Sequence, residues 1–97
     1  MTPDEAYYCA LDNGPSEETR KIACKNSEYA YKYAKFVDKE PKEDTRNAAC
    51  KNPEWAFIYA YYIDKCFRED TWDAAQNTEY EEKYKKFFNS TMKEDII

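Results

Sequence analysis

The sequence predicts an all-α protein, a small α-solenoid built from pairs of helices. The first observation is a repeat, because Thr19, Thr45 and Thr71 lie 26 residues apart and similar segments follow each of them. A fixed period of this length is typical of repeat proteins. The second observation is composition: the 97 residues include one glycine and 18% aromatic residues. Few glycines disfavour β-hairpins, and many aromatic residues disfavour disorder.

The best-defined element is a long helix that begins after Asn52. Asn52 is a favourable N-cap, Pro53 suits the first helical position, and Glu54 complements the positive end of the helix dipole. Aromatic residues then recur at helical spacing with alanines beside them. The same pattern recurs along the chain, and it predicts long helices near 2–12, 27–39, 53–66 and 78–92.

A short helix is predicted before each of the last three long helices. Each short helix begins with two acidic residues, which favour a helix N-terminus. The predicted short helices lie near 17–25, 43–51 and 69–76, giving about seven helices in a single domain. The predicted divisions are a half unit at 2–14, units at 16–41, 42–67 and 68–92, and a short tail at 93–97.

Two repeat positions on the long helices predict the core. Large aromatic side chains there alternate with alanines, so that facing helices can interdigitate. The predicted core residues are Tyr29, Trp55 and Tyr80 at the first position, Tyr33, Tyr59 and Tyr84 at the second, and Ile63 one turn later. The last unit carries Glu81, Glu82 and Lys85 where the middle units carry alanine or an aromatic residue, as expected of a terminal capping repeat.

Another set of aromatic residues is a candidate partner-binding surface. Tyr7, Tyr31 and Phe57 share one register of the repeat. Aromatic residues are enriched at protein interfaces because they offer large and rigid contact area. The alternative is that these side chains pack against the next unit of the array.

Arg20 and Arg46 form a second candidate binding set, since they occupy equivalent positions in two units. Two arginines in a row could bind an acidic partner. The alternative, which we consider the safer one, is that they form ion pairs inside the array. The nearest candidates for such pairs are Asp38, Asp64, Glu28 and Glu54.

The sequence offers little for catalysis or for a metal. It contains no histidine, so a Ser-His or Cys-His nucleophile pair cannot form. A zinc site would need all four scattered cysteines. In the absence of a secretion signal, Cys9, Cys24, Cys50 and Cys66 are expected to be free thiols rather than two disulfides. We expect no enzymatic activity and no cofactor, and we expect Cys66 to be the most reactive thiol.

The charge balance argues against several kinds of partner. The net charge is −5, and acidic and basic residues are interleaved. This pattern disfavours direct binding to nucleic acid, which usually needs a basic face. No apolar run is long enough to span a membrane, and a cytoplasmic location is expected.

The motif Ala-x-x-Asn-Pro-Glu-Trp/Tyr-Ala-x-x-Tyr-Ala resembles short helical repeats in uncharacterised proteins of bacteriophages and large DNA viruses. Residues 48–60 carry it, and residues 22–34 match it with Ser27 in place of proline. The helix pairs are also loosely similar to tetratricopeptide arrays. The resemblance implies a virus-encoded protein, in the host cytoplasm, that binds and inhibits a host defence complex.

The resulting hypothesis is a non-enzymatic module that binds another protein. Two alternatives stay open. One is an acidic decoy that occupies a nucleic-acid site on a host enzyme, and the other is a structural protein that associates with itself. Salt dependence separates the decoy from an interface anchored by aromatic residues, because salt screens the first much more strongly.

Overall fold

The described part of the chain holds seven α-helices and no strand. In this computed structural model, the backbone of residues 1–96 and the side chains of residues 1–88 are described. The helices are α1 (Pro3–Asn13), α2 (Glu17–Ala23), α3 (Ser27–Lys32), α4 (Glu43–Ala49), α5 (Pro53–Tyr59), α6 (Glu69–Ala75) and α7 (Tyr80–Ile96). Two π-helical segments continue α3 and α5, namely π1 (Tyr33–Asp38) and π2 (Ala60–Asp64). The predicted all-α class is confirmed.

The end of the chain is only partly described. The backbone of α7 leaves the helical range at Phe88, where φ is −118° and ψ is 19°, and then continues to Ile96. The predicted tail at 93–97 falls on the end of α7 and on Ile97. The side chains of that tail, and Ile97 itself, lie outside the described residues.

Side-chain caps begin the helices where the sequence predicts them. The Asn52 side chain accepts the N–H of Glu54 at 2.9 Å, and the Asn26 side chain accepts the N–H of Tyr29 at 3.1 Å. Ser16 caps α2 in the same way. By contrast, no side-chain cap begins α4 or α6. These two helices of seven residues each must therefore be held by other contacts.

A buried tyrosine of the following long helix supplies those contacts. The hydroxyl of Tyr59 accepts the N–H of Lys42 at 3.1 Å and donates to the carbonyl oxygen of the same residue at 3.2 Å. The hydroxyl oxygen of Thr45 lies 2.8 Å from that of Tyr59, and it donates to the Lys42 carbonyl oxygen at 3.1 Å. We call this arrangement the tyrosine–threonine cluster. It recurs as Tyr33 with Thr19 and Ser16, and as Tyr84 with Thr71 and Arg68.

The core repeats with the sequence. Each of three apolar clusters combines an aromatic residue and an alanine of one long helix, an alanine of the next short helix, and the buried tyrosine of the next long helix. The middle cluster, for example, consists of Tyr31, Ala34, Ala49 and Tyr59. The three sets are therefore (Tyr7, Ala10, Ala23, Tyr33), (Tyr31, Ala34, Ala49, Tyr59) and (Phe57, Ala60, Ala75, Tyr84).

The two predicted core positions differ in burial. Tyr33, Tyr59 and Tyr84, at the second position, are all 0% exposed. Four predicted core residues are only partly buried and pack against the apolar clusters from the side: Tyr29, Trp55 and Tyr80 at the first position, and Ile63 one turn after the second. The reason is their direction, because the second position faces the short helix while the first lies at the boundary with the preceding long helix.

Successive long helices pack on one another through aromatic pairs at this boundary. The ring centroids of Tyr7 and Tyr29 are 5.8 Å apart, and those of Tyr31 and Trp55 are 5.6 Å apart. Phe57 and Tyr80 form the third pair. The molecule measures 46 × 21 × 15 Å. The superhelical arrangement expected of a solenoid stays a prediction.

Both π-helical segments end at a lysine in the left-handed conformation. Lys39 has φ 59° and Lys65 has φ 56°, and the N–H of Lys65 donates to the carbonyl oxygen of Ala60 at 2.8 Å. A residue with a Cβ atom is disfavoured at this φ, and glycine is the usual choice. The sequence contains one glycine, and it is not at either position.

Removal of one buried hydroxyl should destabilise the fold without leaving a large cavity. Tyr59→Phe should lower the free energy of unfolding by about 1–3 kcal/mol, because the N–H of Lys42 loses its buried acceptor. The matched control is Tyr61→Phe, whose hydroxyl lies on an exposed ring, and it should change the value by less than about 0.5 kcal/mol. Urea denaturation measures both, and equal effects would contradict the role given to the tyrosine–threonine cluster.

Glycine at a left-handed position should stabilise the protein. Lys65→Gly should raise the free energy of unfolding by about 1 kcal/mol, because the left-handed backbone no longer strains a side chain. Lys21→Gly, within α2, should instead lower it by about 1 kcal/mol. Thermal denaturation followed by circular dichroism compares the two, and a lower melting temperature for Lys65→Gly would count against the explanation.

Candidate protein-binding surface

The two arginines of the predicted binding set are engaged inside the array. The guanidinium of Arg20 forms two hydrogen bonds with the Asp38 carboxylate, at 2.6 and 2.8 Å. That of Arg46 binds Asp64 at 2.6 and 3.0 Å. The Asp38 and Asp64 side chains are 1% and 2% exposed. The structure therefore agrees with the second interpretation of these arginines, in which they form ion pairs inside the array.

Each ion pair lies against the buried tyrosine of its own unit. The guanidinium carbons of Arg20 and Arg46 are 5.6 and 5.7 Å from the ring centroids of Tyr33 and Tyr59. The hydrogen bonds to Asp38 and Asp64 raise the pKa of the two guanidinium groups above the ordinary arginine value. In the last unit Trp72 replaces the arginine, and its ring packs on Tyr84 at 5.3 Å. An arginine held in this way has little freedom to bind a partner.

The aromatic part of the predicted binding set is buried as well. Tyr7, Tyr31 and Phe57 are 7, 8 and 9% exposed. Their rings form the boundary pairs with the next long helix, which is the second interpretation of this register. The five predicted residues therefore do not form a continuous open surface. The three aromatic residues connect successive units, and the two arginines bind within their own units. Of the five, Phe57 alone lines one of the two grooves described below.

That groove is lined by Phe57, Ile58, Tyr61, Tyr62 and Phe87, and we call it the aromatic groove. Its volume is about 280 Å³. Tyr61, Tyr62 and Phe87 are 38, 48 and 49% exposed, although they are large and mainly apolar. The Tyr61 ring lies edge-on to those of Phe87 and Tyr62, with centroids 4.7 and 4.8 Å apart. Phe57 forms the floor of the groove, 5.8 Å from Phe87.

The two tyrosines reach the surface because of the segment that carries them. Tyr61 and Tyr62 are consecutive residues of π2, and Ala60, the residue before them, is fully buried. Neighbouring residues of a helix point in different directions, so a buried Ala60 leaves the next two side chains outside. Phe87 arrives from α7, beyond the buried Tyr84. π-helical turns are frequent at functional sites.

A second groove adjoins the first and shares Tyr62 with it. We call it the lysine groove, because three of its lining residues are Lys35, Lys39 and Lys65. Its volume is about 220 Å³. The ammonium nitrogen of Lys35 lies 4.4 Å from the centroid of the Tyr62 ring, within the range of a cation–π contact. The remaining lining residues are Ala34, Glu40, Pro41, Tyr62 and Ile63.

The predicted binding set contained one residue of this surface, Phe57, and missed the others. The signal that was available for Tyr61 and Tyr62 is that two large rings are adjacent in the sequence. Phe87 gave no signal, since its partner Tyr61 is distant in sequence. The lysine groove gave only a weak signal, namely that Lys39 and Lys65 are 26 residues apart and occupy equivalent repeat positions.

The described side chains offer no evident metal site. No group of three acidic or cysteine residues among them lies close enough to hold an ion. All four cysteines are free in the described part of the chain. None of the described helices is long and apolar enough to cross a membrane.

The cysteines differ in their exposure to solvent. Burial raises the pKa of the Cys24 thiol to about 12 and that of the Cys50 thiol to about 11. Cys66 lies exposed in the connector between π2 and α6. Since the thiolate is the reactive form, Cys66 is the most accessible target for alkylation.

Comparisons of this chain with protein-family models, with curated proteins and with solved structures find no match. The resemblance to viral helical repeats therefore stays a prediction, and the site has to be judged on its own geometry.

Differential alkylation tests this order of the thiols. At pH 8, iodoacetamide should modify Cys66 at least about tenfold faster than Cys24 or Cys50, because a raised pKa leaves less thiolate and burial limits access. The modified positions are identified by peptide mass mapping. In urea the four rates should become similar, which serves as the control. Equal rates in the native protein would contradict the partial burial of Cys24 and Cys50.

Proposed function

We propose that this protein is a non-enzymatic module that binds another protein through the aromatic groove. The observation that supports the proposal most is the exposure of Tyr61, Tyr62 and Phe87 in one contiguous set. Large apolar side chains exposed together are uncommon on a monomer and often mark an interaction site. The rings are held by contacts with one another, so a partner would lose little side-chain entropy in binding them.

The shape of the groove also suits a protein partner. Hot spots of protein interfaces are enriched in aromatic residues that surround a well-packed centre. Here Phe57 is buried at the floor, and the exposed rings of Phe87 and Tyr61 flank it with centroids 5.8 and 6.0 Å away. An apolar side chain of a partner could enter between them and displace water from all four rings.

An acidic decoy is the second candidate, and one observation favours it. The short helices α2, α4 and α6 all begin with exposed acidic residues at equivalent positions of the repeat. Such a series could imitate the phosphates of a nucleic acid. The same residues also complement the N-terminal ends of these helices, which accounts for them without a partner.

The proposal is tested by affinity capture from a lysate of the cells that produce the protein. The double variant Tyr61→Ser, Phe87→Ser should bind the captured partner at least about 30-fold more weakly, because it loses two exposed aromatic anchors. The matched control, Tyr8→Ser with Leu11→Ser, removes two exposed apolar side chains from α1 that line neither groove. The control should bind as the wild type does.

Two other outcomes would contradict the proposal. The first is that Tyr61→Ser with Phe87→Ser and the control variant both bind the partner, while Glu43→Lys with Asp44→Lys does not. If binding of the partner also falls steeply as salt rises, the protein is an acidic decoy. If the captured partner is the protein itself, the role is self-association. Circular dichroism establishes that each variant is folded before capture.

A further inference from the structure

We infer that the aromatic and lysine grooves together receive an acidic peptide segment of the partner, with an apolar side chain in the first groove and carboxylates beside the lysines of the second. This inference rests on the proposed function and adds the chemistry of the partner to it. Tyr62 belongs to both grooves, so one continuous segment can occupy them together.

The charge of the lysine groove is the first argument. Lys35, Lys39 and Lys65 take part in none of the ion pairs among the described side chains. The acid that lines this groove, Glu40, is paired with Lys42 at 3.2 Å. Two helical segments end here, and each end carries a partial negative charge of about half an elementary charge. Three ammonium groups outweigh both ends, so the groove is positive.

This positive groove contrasts with the rest of the chain. The protein has 20 acidic and 15 basic residues. The lysine groove therefore gathers three positive side chains on a protein that is acidic as a whole. Charge of this kind steers an oppositely charged partner and fixes its orientation on the adjoining apolar contact.

The geometry of the rings favours a peptide over a single-stranded nucleic acid. Bases stack on open ring faces, which must be accessible and roughly parallel to the base. Tyr61 meets Tyr62 at an interplanar angle of 79° and Phe87 at 70°, so each ring edge closes a neighbouring face. Lys35 lies over the Tyr62 ring. The lining also contains no arginine, the residue that binds phosphate with two parallel hydrogen bonds.

The probe is a fluorescein-labelled synthetic peptide of about ten residues, with Leu and Trp at its centre and Glu and Asp elsewhere. An extended chain advances about 3.3 Å per residue, so the probe is about 30 Å long. Two peptide controls accompany it: a neutral form with Gln and Asn in place of the acids, and an acidic form with Ala in place of Leu and Trp. An oligothymidylate of similar length is the nucleic-acid control.

Fluorescence anisotropy should show binding of the acidic apolar probe and at least about tenfold weaker binding of each peptide control. The triple variant Lys35→Gln, Lys39→Gln, Lys65→Gln should bind the acidic apolar probe at least about tenfold more weakly than the wild type does. The variant Lys21→Gln, Lys25→Gln, Lys51→Gln has the same net charge but alters exposed lysines outside both grooves, and it should change the affinity less than about threefold. Backbone amide shifts in NMR spectra should change around Tyr62 on titration.

The affinity of the wild-type protein also tests the inference without any variant. Binding of the probe should weaken as sodium chloride rises but should not vanish, because the apolar contact is not screened. Equal binding of the neutral peptide, equal losses in the two triple variants, or amide shifts elsewhere would each overturn the inference. If oligothymidylate binds more tightly than the peptide probe and its binding depends on the same lysines, the ligand of the grooves is a nucleic acid and not a peptide. A dimer that is lost in Tyr61→Ser would replace it with a second copy of the chain.

Failure of this inference is distinguishable from failure of the proposed function. If the probe does not bind, but Tyr61→Ser with Phe87→Ser still loses the captured partner, the groove binds a protein of other chemistry. If that double variant keeps the partner, the proposed function is wrong, and the acidic segment is excluded with it.

Discussion

The fold depends on a contact that occurs three times, between a buried tyrosine of a long helix and the first turn of the short helix before it. In the middle unit, the Tyr59 hydroxyl accepts a backbone N–H and donates to a carbonyl oxygen, and a threonine hydroxyl forms a third hydrogen bond with it. A helix of seven residues is not stable alone, since nucleation costs more than a few hydrogen bonds return. The tyrosine supplies the missing cap and a large apolar ring at the same place. No buried side-chain nitrogen or oxygen in the described part lacks a hydrogen-bond partner.

The contacts between units are of a different kind. Aromatic pairs such as Tyr31 with Trp55 join successive long helices, and each lies at a boundary that is partly open to solvent. The Arg46–Asp64 pair, by contrast, ties a short helix to the end of its own long helix. Because desolvation offsets much of its Coulomb energy, we assign this nearly buried pair a role in fixing the register of the two helices more than in adding stability.

The candidate surface arises where the repeat changes. In α3 and π1, the positions equivalent to Tyr61 and Tyr62 hold Lys35 and Phe36, so one unit presents lysine where the next presents tyrosine. The last unit then adds Phe87 beside Tyr61. In a repeat array, equivalent positions of successive units lie next to one another on the surface. Substitutions between units therefore place aromatic and basic side chains side by side. The aromatic and lysine grooves adjoin for this reason.

The sequence by itself determined the helical class and the period. Spacing, caps and alanine positions are local signals, and the threonines marked the repeat, but their hydrogen bonds with the buried tyrosines appear only in the structure. The sequence did not determine which of the repeated aromatic positions are exposed to solvent and which are buried. Trp55 was expected in the core and lies at a partly exposed boundary. For Tyr7, Tyr31 and Phe57 the sequence left two interpretations open, and the structure has them in the packing between helices.

Only the tertiary structure decided these points, because burial depends on which helix a side chain meets. A helix shows the same periodicity whether its aromatic face meets a neighbour or a partner. The meeting of Phe87 with Tyr61 across 26 residues, and the π-helical turn that directs Tyr61 and Tyr62 outward, have no local sequence signature. The ion pairs are a further example. The sequence offered four candidate acids for the two arginines, and the relative positions of the helix ends bring Asp38 and Asp64 to them.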